Sequence, residues 1–215
     1  SIDPSRYYSV EINLENGIIT SENPQESLKK GSLTYTYELN EGYEISDTEV
    51  ICSGSAKGKI NADNIIIKDI REDQICRISP SKKKYIVDIK VNNGSSDALN
   101  KHIEYLGSDI FNITANYGYT ISEATITGEG CSIEGSIVTV SNVTSNRTCE
   151  VTLKKDKYNV YLSGANISVD ASPKLVEYEG SVAFIVTPSV GYTLDNAVVN
   201  CDNGATSIRT NNNVT

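Results

Sequence analysis

The chain has 215 residues, 38% of them hydrophobic, with 15 Gly, 5 Pro, 13 Tyr, 2 Phe and neither Trp nor Met, which is the composition of folded globular material and excludes a collagenous or disordered chain. A formal net charge of −9 gives a surface that repels nucleic acid and anionic membranes, so neither is an expected partner, because phosphate binding needs clustered Lys and Arg. No stretch approaches the ~20 apolar residues of a membrane span, so membrane insertion is not expected.

The elements repeat along the chain. Residues 1–6 read as the last strand of a preceding repeat, because Ile2-Asp3-Pro4-Ser5 resembles Ile78-Ser79-Pro80-Ser81. Repeat 1 covers 7–84 and opens on Tyr8-Ser9-Val10-Glu11-Ile12. Tyr8, Val10, Ile12 and Leu14 fall on one face of this segment, and such alternation marks a strand with one face on a core. Gln25 to Lys30 offers one helical turn. Gly31-Ser32 then precedes Leu33, Tyr35, Tyr37 and Leu39, again on one face. Gly42-Tyr43, Cys52 and Cys76 follow, and the basic run Lys82-Lys83-Lys84 reads as a solvated junction.

Repeat 2 covers 85–157 in the same order: Tyr85-Ile86-Val87-Asp88-Ile89, a possible helical turn at Asp97 to Ile103, Gly107-Ser108, Phe111 and Ile113, Gly118-Tyr119, Cys131 and Cys149. Repeat 3 covers 158–215, with Tyr158-Asn159-Val160-Tyr161-Leu162, Gly180-Ser181, Val182, Phe184 and Val186, Gly191-Tyr192 and Cys201. Opening tyrosines lie 77 and 73 residues apart, and each Gly-Tyr pair comes 11 residues after its Gly-Ser glycine. Asn213-Val214-Thr215 matches Asn142-Val143-Thr144, so repeat 3 is read as truncated before its closing cysteine, leaving Cys201 unpaired. The chain, with Ser1 first and no Met, is expected to be part of a longer product.

Such internal periodicity signals a modular array. The expected fold class is all-β: a tandem array of small antiparallel modules of five or six strands, as Ig-like sandwiches or β-grasp-like units, with one disulfide each. A module of roughly 75 residues has little core for its surface. Crosslinks Cys52–Cys76 and Cys131–Cys149 answer that, each worth roughly 3 kcal/mol on the chain-entropy account, and they imply an oxidising, extracellular or cell-surface setting. Gly31, Gly107 and Gly180 are expected in turns needing positive φ. Gly42-Tyr43, Gly118-Tyr119 and Gly191-Tyr192 are expected in a second turn, each Tyr packing at the edge of the core.

No residues are expected to carry catalysis. The one histidine, His102, has no counterpart in the other repeats, and a hydrolytic triad needs a histidine positioned by an acid. The five cysteines form no CxxC pairs for zinc. Asp69, Glu72 and Asp73 lack EF-hand spacing. No cofactor is expected. Sequons at Asn93, Asn112, Asn142, Asn146, Asn166 and Asn213 are glycan acceptors in a eukaryotic secreted chain and Asn/Thr-rich strands and turns in a bacterial one.

The order of features, through Asn142-Val143-Thr144 and the closing Thr148-Cys149-Glu150-Val151-Thr152, resembles the divergent InlB B-type repeats and other immunoglobulin-like repeats of bacterial surface proteins. The resemblance implies a non-catalytic stalk, spacer or filament scaffold, with neighbouring repeats or like chains as partners. The alternative is a set of adhesin modules binding a host or cell-surface glycan or protein, which requires a sizeable exposed apolar patch.

Overall fold

A computed structural model describes residues 6–45 and 48–215; the resemblance of Ile2–Ser5 to Ile78–Ser81 falls outside the described residues. The chain is all-β: several small sheets, two disulfides and no helix among the described residues. Both expected helical turns are strands, Gln25–Leu28 and Asn100–Glu104. Each is too short to make an amphipathic helical stripe, and each finds backbone partners in the opening strand of its repeat.

Repeat 1 contains β1 (Tyr7–Leu14), β2 (Gly17–Ile19), β3 (Gln25–Leu28), β4 (Ser32–Leu39), β5 (Tyr43–Glu44), β6 (Val50–Cys52), β7 (Lys57–Ile60), β8 (Asn64–Lys68), β9 (Gln74–Ile78) and β10 (Ser81–Lys82). Repeat 2 contains β11 (Lys84–Asn92), β12 (Gly94–Ser96), β13 (Asn100–Glu104), β14 (Asp109–Ala115), β15 (Tyr119–Thr127), β16 (Cys131–Glu134), β17 (Ile137–Val140) and β18 (Arg147–Lys155). Repeat 3 contains β19 (Lys157–Val160), β20 (Ile167–Val169), β21 (Lys174–Glu177), β22 (Phe184–Pro188), β23 (Arg209–Thr210) and β24 (Asn213–Val214). Strands are more numerous and shorter than the expected five or six per module.

Repeat 1 forms two four-stranded sheets, β3-β1-β9-β6 and β2-β4-β8-β7. The sheets of repeat 2 have the same order strand for strand, β13-β11-β18-β15 and β12-β14-β17-β16. Repeat 3 reproduces β19-β21 and β20-β22-β24-β23. The modules are not purely antiparallel. β1 runs parallel to β9, with Val10 opposite Gln74 and Leu14 opposite Ile78, which sets the first and last core strands of repeat 1 side by side.

Two compact units divide the described chain. The first runs to Asp88 and adds Asn100–Asp109 and Thr139–Thr148; the second comprises Ile89–Leu99, Ile110–Val138 and Cys149–Thr215. In the first, the alternating residues of β1 become core: Tyr8, Val10 and Ile12 are buried with Tyr35 of β4, Ile65 and Ile67 of β8, Ile70, and Cys76 and Ile78 of β9. The inner faces of both sheets of repeat 1 supply that core. The Tyr35 hydroxyl, inside it, donates to the Val10 carbonyl at 2.7 Å, and burial raises its pKa to about 12. In the second unit Phe111, Ile113, Cys149, Val151, Leu153, Phe184, Val186 and Val214 are buried, following the same period-two pattern.

Strand pairing corrects one sequence match. Ile113 donates to Ser136 and Val186 donates to Asn212, and Phe184 faces Val214. Asn213-Val214 therefore corresponds to Ile137-Val138 at the start of β17, whereas Val143 lies beyond β17, hydrogen-bonded to Leu106 and Gly107.

Candidate functional site

The landmark turns recur in all three repeats. An asparagine with left-handed backbone follows each opening strand, Asn16, Asn93 and Asn166 (φ 51°, 68° and 58°). Its carbonyl accepts the amide of Asn40, Asn116 or Ser189, respectively, at 2.8–3.0 Å. These three residues begin the Gly-Tyr turns. Tyr43, Tyr119 and Tyr192 donate back to Asn40, Asn116 and Ser189, and the intervening Gly42, Gly118 and Gly191 have φ of 81°, 80° and 84°. A positive φ at the third residue is the type II pattern that selects glycine.

The Gly-Ser glycines differ from expectation. Positive φ falls one residue earlier, on Lys30, Leu106 and Glu179 (φ 60–61°). Gly31, Gly107 and Gly180 close these turns by donating to Leu28, Glu104 and Glu177. A Cβ on any of the three would lie 2.8 Å from that same carbonyl oxygen. Close backbone approach, not left-handed backbone, selects glycine there.

The second residue of each of these turns is Lys29, Tyr105 or Tyr178. Tyr105 of repeat 2 covers Gly42 of repeat 1, and Tyr178 of repeat 3 covers Gly118 of repeat 2. A Cβ on Gly42 would lie 2.1 Å from the Tyr105 ring, and one on Gly118 2.4 Å from the Tyr178 ring. Both glycines are buried. The rings meet edge to face with the tyrosine after the glycine: Tyr43–Tyr105 at 6.4 Å and Tyr119–Tyr178 at 6.1 Å, with Tyr117–Tyr178 at 5.7 Å. Tyr43 and Tyr119 thus pack on a tyrosine of the next repeat rather than only at their own core edge. Desolvation in these sockets raises the pKa of Tyr105 and Tyr178, aided by Glu41 for the first and Glu179 for the second.

One backbone residue completes each junction. Lys83 donates to the Gly42 carbonyl at 2.8 Å and accepts the Tyr105 amide at 2.9 Å. Asp156 donates to Gly118 at 2.9 Å and accepts from Tyr178 at 2.8 Å. Just before them Lys82 pairs with Tyr43, and Lys155 with Tyr119. The Lys82–Lys84 side chains are exposed, as a solvated patch should be, while the backbone beneath them pairs with Tyr43, Gly42, Tyr105 and Glu104.

Cys52 and Cys76 are bonded and lie directly opposite each other in the β6–β9 pair. Cys131 and Cys149 are bonded between β16 and β18, which belong to different sheets. The crosslink therefore recurs in sequence but not in geometry. Cys201 is exposed and free. It follows Gly191 by 10 residues, as Cys52 follows Gly42, against 13 in repeat 2.

His102 is exposed on β13, opposite Ile86. Glu72 accepts the Ser55 amide and Asp73 the Ser9 amide, so both serve local backbone. Among the described residues no group of three or more His, Cys, Asp or Glu is placed to hold a metal, and no helix is long and apolar enough to cross a membrane. Asn112 is hydrogen-bonded to Asp97, and Asn146 accepts the Ile86 amide.

No protein family matches the chain, and no curated protein is recognisably similar to it in sequence.

Proposed function

We propose that the chain is a non-catalytic, extracellular repeat region of a bacterial cell-surface protein, acting as a load-bearing spacer or filament scaffold. The observation that carries this reading is the duplicated junction: the same tyrosine-on-glycine socket and the same bridging residue join repeat 1 to repeat 2 and repeat 2 to repeat 3. A freely jointed string would need none of this. The two disulfides support an oxidising setting. The parallel β1–β9 pair supports load bearing, since tension on the ends of repeat 1 pulls those strands along their length and loads their hydrogen bonds together. The likeness to surface-protein repeats rests on feature order. Strand order 3-1-8-5 over 2-4-7-6 within repeat 2 differs from the immunoglobulin order, so the reading keeps a two-sheet module and not that connectivity.

Amide 15N relaxation tests the junctions. Lys83, Tyr105, Asp156 and Tyr178 should be as ordered as the core strands, with Gly42→Ala or Gly118→Ala raising mobility at the altered junction. Fast internal motion at Lys83 and Asp156 in the unaltered chain counts against a stiff spacer.

A further inference from the structure

Among the described residues, none covers the glycine of the third Gly-Tyr turn. Gly191 has the same φ as Gly42 and Gly118 and the same closed turn behind it, yet a Cβ there would meet nothing within 4 Å. Gly42 and Gly118 are buried under a tyrosine, whereas Gly191 is exposed. Its flanking residues are open: Val190 at 101% and Tyr192 at 56% relative exposure. A depression lined by Pro188, Leu194, Asp195 and Arg209 continues from Tyr192.

We infer that Val190-Gly191-Tyr192 is a preformed docking site for the tyrosine-bearing turn of another β module of this kind, a turn of pattern X-Tyr-X-Gly-Ser. The inference rests on the scaffold reading and extends it, by naming the side chain that enters and the surface that receives it. Both filled sockets of the chain support that occupant: Glu104-Tyr105-Leu106-Gly107-Ser108 and Glu177-Tyr178-Glu179-Gly180-Ser181 each place an aromatic ring flat enough over the glycine to exclude a Cβ. The turn is preorganised on each side, and the bridging residue that Lys83 and Asp156 supply in the filled junctions would come from the segment preceding the docking module.

The corresponding turn of repeat 1, Leu28-Lys29-Lys30-Gly31, has the same backbone, with φ 61° at Lys30 and Gly31 bonded to Leu28. Register places it equivalently, since Tyr7 faces Leu28 as Lys84 faces Glu104. It carries Lys29 where the others carry tyrosine. A lysine brings a hydrated charge and no ring, so the chain's own first repeat is a poor occupant of its own third socket.

This difference supplies the test. Lys29→Tyr gives repeat 1 the missing ring at a position where tyrosine already stands in the other two repeats. Sedimentation equilibrium is run up to about 1 mM, the effective concentration that a short linker provides to joined modules. The unaltered chain stays at its 23.4 kDa mass, while Lys29→Tyr shifts to at least twice that mass, and adding Tyr192→Ser returns it to monomer. A monomeric Lys29→Tyr chain overturns the inference, as does association that survives Tyr192→Ser. Neither result touches the two internal junctions, so the scaffold reading would stand or fall separately on relaxation at Lys83 and Asp156.

Discussion

Gly42→Ala is the sharpest perturbation of a junction. Two costs arise. An L-residue at φ 81° is disfavoured by about 1–2 kcal/mol. The new methyl would also stand 2.1–2.4 Å from three ring atoms of Tyr105, so the ring must leave, forfeiting an edge-to-face pair worth about 0.5–1.5 kcal/mol. The total is about 2 kcal/mol. Gly191→Ala carries the backbone cost at φ 84° with nothing within 4 Å, so it should cost about 1 kcal/mol. The gap of about 1 kcal/mol is the socket contact and corresponds to roughly a fivefold change in an opening equilibrium. Urea unfolding measures both totals. Native-state hydrogen exchange at the Lys83 and Tyr105 amides, whose acceptors are Gly42 and Lys83, localises the loss, and local opening of this kind is what exchange reports. Equal costs for the two substitutions, or unchanged protection at Lys83 in Gly42→Ala, would refute the reasoning.

Further expectations follow from other parts of the molecule. Non-reducing peptide mapping should recover Cys52–Cys76 and Cys131–Cys149, with Cys201 alone labelled before reduction; reducing either bond should destabilise its repeat by about 3 kcal/mol on the chain-entropy account, and recovery of other linkages contradicts the repeat register. Tyr35→Phe removes a buried hydroxyl that donates to Val10, and loss of that hydrogen bond should cost about 0.5–1.5 kcal/mol by urea unfolding. Because the folded pKa of Tyr35 is about 12 against 10.0 for the free group, its neutral form is the stable one. Its stabilisation is complete below pH 10 and is lost as pH rises toward 12, a decline that Tyr35→Phe should abolish. Asp170, held down to about 2 by Lys174 and by the Ile185 amide, acts in the opposite sense: its contribution is present above the ordinary carboxylate value of 3.8 and is lost as pH falls toward 2, which an acid titration of Asp170→Asn should remove.

Much of the module was legible because burial has a period of two. Tyr8, Val10 and Ile12, and likewise Val87 and Ile89, lie inside as their alternation demands. The repeat spacing was legible because each landmark is a backbone requirement that only a few residues satisfy: Gly42, Gly118 and Gly191 at the third position of a type II turn. What alternation misses is pairing. Gln25–Leu28 is too short to declare a period, and its strand identity comes from β1 beside it. The parallel β1–β9 pair joins segments some sixty residues apart, which no local pattern records. Tyr105 and Tyr178 were also missed. They stand two residues before Gly107 and Gly180, but Lys29 occupies that position in repeat 1, so comparison of all three copies gives no consensus. The signal was the disagreement itself, Tyr105 and Tyr178 against Lys29.

Force–extension measurement on the single chain, pulled through its two ends with and without reductant, tests the spacer account most directly. Repeats 1 and 2 should unfold in discrete, high-force steps. Reductant should lengthen the first by about 80 Å and the second by about 60 Å, from the 24- and 18-residue separations of the bonded cysteines at ~3.3–3.6 Å per residue. Gradual extension at low force, with no separate steps and no added length on reduction, would contradict it.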